Sequence, residues 1–217
     1  MIEVSHIQKT YGKKKVLTDI SFCAKPGECS AIVGKNGCGK STLLQILSGV
    51  VRADSGSIQL WNEAATPKTI RKYCGYVPQE NPLMEEMSVR DNVRLWKGKN
   101  RHMTEQVIRQ FELDDLLGQK VRTLSGGMKR RLAIACALLK LPPVMIMDEP
   151  TTALDLYYKE SIRQWMGQYL AGNGTILMTT HDEAEIANAT RCFVLREGVL
   201  SETPKESVRD AILSEKE

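Results

Sequence analysis

Two glycine turns and one acid pair carry the chemistry in this sequence. Gly34-Lys35-Asn36-Gly37-Cys38-Gly39-Lys40-Ser41 fits the spacing GxxxxGK[ST]. Glycines let such a loop turn its N–H groups inward around phosphate oxygens. A helix opening near Lys40 aims its positive end at the same oxygens. Lys40 is expected to neutralise β/γ-phosphate charge and the Ser41 hydroxyl to ligate Mg2+, so the loop predicts nucleotide binding. Cys38 lies inside the loop. It is either a small side chain filling space or a reactive thiol whose alkylation blocks ATP binding.

The acid pair ends the apolar run Val144-Met145-Ile146-Met147-Asp148-Glu149-Pro150. Buried charge without a partner is costly, and a metal beside a phosphate loop supplies one. Asp148 is expected to hold Mg2+ through water, and Glu149 to position and activate the attacking water. A helix-capping acid pair before Pro150 is the plainer alternative. The second glycine turn is Thr123-Leu124-Ser125-Gly126-Gly127-Met128-Lys129-Arg130-Arg131. Ser125, Gly126 and Gly127 read as a helix cap and an anion nest. Lys129, Arg130 and Arg131 then crowd the first turn, where the macrodipole is already positive. They are either simply solvated, or an anion relieves the clash. With a phosphate there, the chain has two phosphate sites of similar design. A two-fold dimer in which each loop completes the other subunit's site accounts for both.

The elements that must position these residues alternate along the chain. Strand patterns cover Ile2 to Lys9, Val16 to Ala24, Cys29 to Val33, Ile58 to Trp61 and Tyr73 to Val77. Lys13-Lys14-Lys15 and Pro26-Gly27 read as turns. A helix follows the phosphate loop from Ser41 to Leu47. From Ser88 to about Arg122 the periodicity is helical throughout, as in an inserted subdomain. Then come a helix over Gly127 to Leu139, a strand over Val144 to Met147, a helix through Ile162 to Leu170, strands over Thr175 to Thr179 and Cys192 to Leu195, and a charged tail helix in "KESVRDAILSEKE". Such alternation predicts an α/β fold, a largely parallel sheet with helices on its faces and an inserted helical subdomain.

Bulk composition narrows the function classes. The 217 residues suit one α/β domain, and 42% hydrophobic with 26% charged residues describes a globular chain. The net charge of +4 is mild and does not argue for a nucleic-acid binder, so no nucleic-acid partner is expected. The start lacks a signal-peptide core, and the longest apolar run, Leu132 to Leu139, is too short to span a bilayer. A membrane role therefore requires another chain. None of the six cysteines forms a CxxC pair, so zinc is not expected, and reduced thiols in a cytoplasmic protein are.

Taken in order, these motifs resemble those of the nucleotide-binding subunit of an ABC (ATP-binding cassette) transporter, nearly end to end. Gly34 to Ser41 is similar to that family's Walker A, with Thr42 beside it, and Val144 to Glu149 to its Walker B with the catalytic glutamate. Leu124-Ser125-Gly126-Gly127 resembles the signature motif, Tyr76-Val77-Pro78-Gln79 the Q-loop, Ala153-Leu154-Asp155 the D-loop, and Thr179-Thr180-His181-Asp182 the switch region. The resemblance implies that Gln79 contacts metal and water and signals to a membrane partner, that His181 meets the γ-phosphate, and that Tyr11 stacks on adenine. It implies ATP and Mg2+ as ligands, and hydrolysis in a dimer of cassettes, homomeric or heteromeric. It places the protein on the cytoplasmic face of a membrane, through a separate permease. The resemblance implies a P-loop NTPase-type, largely parallel sheet core with an N-terminal antiparallel β subdomain and an inserted helical subdomain: a single cassette over 1–217, with 1–87 and 140–217 as core and 88–139 as the helical signature subdomain. Leu83, Met84 and Met87 beside Glu85 and Glu86 suit a groove for a permease helix, or equally a buried subdomain edge. The compact cassette leans towards export. The alternative is a soluble ABC ATPase such as an iron–sulfur assembly ATPase. Met128 departs from the family's usual glutamine.

Overall fold

The computed structural model describes residues 1–96 and 101–213. The ends of the predicted helical stretches at 97–100 and 214–217 lie outside the described residues. A ten-stranded sheet runs through the molecule. Strands β1 (Ile2–Tyr11), β2 (Lys14–Ala24), β4 (Ser55–Leu60) and β5 (Glu63–Ala64) form an antiparallel arm. Strands β3 (Cys29–Val33), β6 (Cys74–Val77), β7 (Val144–Asp148), β8 (Thr175–Thr179) and β9 (Arg191–Arg196) form a parallel core. β10 (Val199–Glu202) joins the two, antiparallel to β9 and parallel to β2 at Val199 and Asp19. The spatial order is β5-β4-β1-β2-β10-β9-β3-β8-β7-β6.

The core strands β3, β7 and β8 are buried along their whole length, which explains their unbroken apolar runs. Successive side chains point to opposite faces. Val144, Ile146 and Leu177 therefore join one cluster with Leu43, Leu44 and Leu47 of α1 (Lys40–Leu47). Met145, Met147 and Met178 join the other, with Leu132 and Ile134 of α5 (Gly126–Leu138) and Ile162 and Trp165 of α6 (Leu156–Ala171).

Between β4 and α5 lie α2 (Pro67–Tyr73), α3 (Val89–Trp96) and α4 (Arg101–Gln110). Val89, Val93, Val107 and Phe111 belong to the same buried cluster as Met145 and Met147; α3 and α4 pack on α5, and Phe111 meets Trp165 of α6, so the helical stretch continues the core through those two helices. After β8 come α7 (Glu183–Asn188) and, after β10, α8 (Val208–Leu213).

Three local expectations change. The first hairpin turns at Gly12-Lys13, with Gly12 at φ 58, and Lys14 and Lys15 already pair with Tyr11 and Thr10. A left-handed turn position suits glycine, so Gly12 sets the turn and the lysine run extends β2. α6 begins at Leu156, six residues before the apolar stripe, because the Asp155 carboxylate caps it by accepting from the Tyr158 N–H at 3.1 Å. β5, β10, α2 and α7 are elements for which the apolar pattern is too short to register.

Candidate functional site

β3, β8, β7 and β6 are neighbours in that order and run parallel, so their carboxyl ends share one edge of the sheet. The chain leaves β3 into Gly34, β8 into Thr180 and His181, β7 into Glu149, and β6 into Pro78 and Gln79. Ligands of open α/β sheets bind at such an edge.

The loop after β3 needs its glycines for stated reasons. Gly34 is at φ 153, and a Cβ there would lie 2.5 Å from the Leu195 carbonyl oxygen and 2.9 Å from Cys38 Sγ. Gly39 is at φ 111, with Val16 Cγ1 2.9 Å from where its Cβ would be. Gly39 also caps α1 without any side-chain hydrogen bond to the helix's first N–H groups, as an anion site requires. Lys40 is buried, and its Nζ donates to the carbonyls of Gly34 at 2.7 Å and Lys35 at 3.0 Å. The ammonium is thus held within the loop by the loop's own backbone. Lys35, Asn36 and Gly37 are exposed; Ser41 and Thr42 are half-buried in the first turn of α1. Cys38 is half-buried and packs on the α1-side cluster, which matches the space-filling reading. Tyr11 ends β1 with its ring about half exposed, and the Lys9 ammonium sits 5.3 Å from the ring centroid. Val16 and Leu17, from the same hairpin, abut Gly39, which sets Tyr11's hairpin against the loop.

At the end of β7, Asp148 is buried and its Oδ1 accepts from the Thr179 hydroxyl at 2.5 Å. Glu149 has φ 48, a backbone region disfavoured for a residue with a side chain. Its N–H donates to Thr179, at 3.1 Å from the carbonyl and 3.0 Å from Oγ1. Its Oε2 accepts from Thr152 Oγ1 at 2.8 Å, and Oε1 stands 3.3 Å from His181 Nε2. Gln79 is exposed at the mouth of the same edge.

The second glycine turn lies at the start of α5. Ser125 and Gly126 are exposed, and the Ser125 hydroxyl accepts from the Met128 N–H at 3.2 Å. Gly127 is buried beneath Tyr158: a Cβ there would lie 2.4 Å from Cδ2 of the ring. Met128 packs on the helical cluster. The three cations that follow are neither solvated nor waiting for an anion. Lys129 pairs with Glu85 at 2.6 Å. Arg131 is buried, pairs with Glu112 at 2.8 Å and lies 4.6 Å over the Tyr158 ring. Arg130 is buried among backbone carbonyls of the β6 and β7 exits. Partners 18 or more residues away in sequence offset the unfavourable helix end, and sequence spacing gives no sign of them.

Beyond β8, Asp182 caps α7 by accepting from Ala184 N–H at 3.0 Å, and it pairs with Lys159 at 3.0 Å and Arg163 at 2.7 Å of α6. Those cations and backbone N–H groups hold its carboxyl below the usual carboxylate range, against the opposing effect of burial. Glu185 is buried, accepting from the hydroxyls of Thr151 at 2.7 Å and of Thr180.

Residues 17–152 match the family profile described as "ABC transporter". The chain belongs to the ABC transporter family. Among its ABC relatives is the Nod factor export ATP-binding protein I of Rhizobium etli, 38% identical over 195 residues, 85% of this chain and 62% of that protein. The protein of the same name from Paraburkholderia xenovorans is 38% identical over 208 residues, 91% of this chain and 68% of that protein. The chain thus spans about two thirds of the length of these ABC relatives. Its fold is that of solved ABC cassettes. A dimeric cassette in a post-hydrolysis state bound to ADP and Pi superposes with TM-score 0.85 at 27% identity, covering 94% of this chain and 99% of that one. cbiO1 from Clostridium perfringens, part of the ABC transporter complex cbiONQ, gives TM-score 0.82 at 28% identity, covering 96% and 90%. Among the described residues, no helix of this ABC chain is long and apolar enough to cross a membrane.

Proposed function

We propose that this chain is the ATP-binding and ATP-hydrolysing subunit of an ABC transporter, acting as a dimer and driving export through a separate transmembrane permease on the cytoplasmic face of a membrane. The observation that carries it is the shared edge, where a lysine-bearing phosphate loop, a buried carboxylate and a glutamate held 3.3 Å from a histidine lie on adjoining strand ends. Export follows the names of the two relatives, and the soluble alternative has no such support.

Gly34, Lys35, Asn36, Gly37, Cys38 and Gly39 would turn N–H groups on the phosphates, Lys40 would exchange its carbonyl partners for phosphate oxygens, and Ser41 and Thr42 would add hydroxyls. Tyr11 would stack on the base. A hydroxyl, a carboxylate and an amide at Ser41, Asp148 and Gln79 are the oxygen donors a hard cation takes. These three residues would hold Mg2+, whose contribution when bound is to neutralise charge on the β and γ oxygens.

Glu149 would take a proton from the attacking water. Thr152 holds one carboxylate oxygen at 2.8 Å, which orients the other towards His181. His181 would donate to the γ-phosphate. Ser125 and Gly126, exposed in α5's first turn, with Gly127 buried behind them, would close the partner subunit's site. Glu149→Gln is expected to bind ATP with unchanged affinity and to hydrolyse it at least ~100-fold more slowly. A Glu149→Gln chain turning over at the parent rate would overturn the assignment.

A further inference from the structure

Arg130 is the most heavily used side chain at the site, and sequence spacing gave it a different task. It is 4% exposed. Its Nε donates to Pro150 O at 3.0 Å, and Nη2 to Asp148 O at 2.6 Å and Glu149 O at 3.1 Å. Its Nη1 donates to Pro78 O at 2.5 Å, and at 3.4 Å to Gln79 O and Asn81 Oδ1. No carboxylate touches the guanidinium in these bonds. Burial draws its pKa down to about 10, while Asp148, Glu185 and Glu149 nearby hold it up, so it stays charged at neutral pH. A planar fork with five N–H groups is the one side chain that can bridge two backbone segments in this way.

Both bridged segments carry site residues. One holds Gln79. The other holds Asp148 and Glu149, and Glu149 keeps φ 48 with its N–H fixed by Thr179 and its carbonyl fixed by Arg130. We propose that Arg130 is a positioning residue that binds the Gln79 segment and the Glu149 backbone into one unit, so that a displacement at Gln79 reorients the Glu149 carboxylate. This rests on the ATPase reading above. Arg130 touches neither nucleotide nor water in this role, and acts through Glu149.

The test uses the purified full chain with Mg2+ and ATP. Arg130→Lys keeps the charge and loses the fork. It is expected to lower kcat at least ~10-fold, as displacement of a catalytic group does, and to leave the Kd for a fluorescent ATP analogue within about two-fold. In a Glu149→Gln background, under single-turnover conditions, adding Arg130→Lys is expected to cost less than about two-fold, because residues acting as one unit are not additive. A loss of equal size in both backgrounds, or an Arg130→Lys chain with the parent kcat, would overturn the proposal. If the variants do not stay folded, hydrogen exchange on the unaltered chain decides. Peptides covering 78–81 and 148–151 must change protection together when ATP is added, and independent changes would overturn it. An unaltered chain that binds ATP and never turns over overturns the ATPase reading itself. One that turns over alongside an equally fast Arg130→Lys overturns only the role of Arg130.

Discussion

Gly34 and Gly167 show how differently two glycines weigh. At Gly34 an added Cβ would meet the Leu195 carbonyl oxygen at 2.5 Å, a backbone atom that cannot give way locally. Gly34→Ala is expected to weaken ATP binding more than ~10-fold, read by titration with a fluorescent analogue, since a left-handed glycine position replaced by alanine also strains the chain. Gly167 sits exposed in α6 with nothing within 4 Å of its Cβ position. Gly167→Ala is expected to stabilise the fold by about 0.5–1 kcal/mol, seen as a higher Tm with ATP binding unchanged. A lower Tm would mean that α6 needs the glycine. The loop at 34–41 was legible because its glycines, lysine and serine act locally, through the backbone that contains them. Arg130 was not, because its partners at Pro78 and Asp148 are brought to it only by the pairing of β6 with β7.

The exit of β8 is governed by its caps. Asp182 ties α7 to α6 through Lys159 and Arg163, and Glu185 is buried against Thr151 and Thr180, so the segment carrying His181 is fastened at both sides. Burial is the largest influence on Glu185 and raises its pKa above 4.5, against the two hydroxyls that lower it. An acid raised in the fold contributes stability that is fully present below its unfolded pKa and lost as pH rises through the folded value. Glu185→Gln is therefore expected to gain Tm on the parent chain as pH climbs from about 4 towards neutral; parallel Tm curves would remove Glu185 as the cause. The five-residue strands β3 and β8 were readable to the residue, since burial on both faces forces an apolar run. α2 and α7 hold their ends by caps rather than by an apolar face. Thr66, with Thr69 completing its capping box and Pro67 at the first helical position, was the signal available for α2.

At the scale of the whole molecule, the sheet's order decides what meets what. Parallel neighbours β3, β8, β7 and β6 gather four loops on one edge, whereas the Ser125 turn lies on α5 and faces outward. Alternating strands and helices in the sequence pointed to the parallel core, but the order of its strands is not a property of any segment. Glu149→Gln with ATP is expected to run at twice the 24.3 kDa chain mass in light scattering. Adding Ser125→Arg is expected to return it to one chain mass while single-chain nucleotide affinity holds. A dimer that survives Ser125→Arg would place the contact elsewhere.

Lys129, Arg130 and Arg131 are each engaged inside their own chain, and the exposed Lys120 and Arg122 stand 3.9 and 3.6 Å from Glu86, so the stretch around Ser125 presents paired charges beside a hydroxyl and peptide N–H groups. Ionic strength acts on fields that reach across solvent, with a screening length of about 8 Å at physiological salt, and such a face projects little field. Added sodium chloride is therefore expected to change nucleotide-driven pairing only slightly. On the proposed reading, the charge that closes the contact would arrive as γ-phosphate and leave with it, so the lifetime of the pair would be clocked by chemistry and not by the medium.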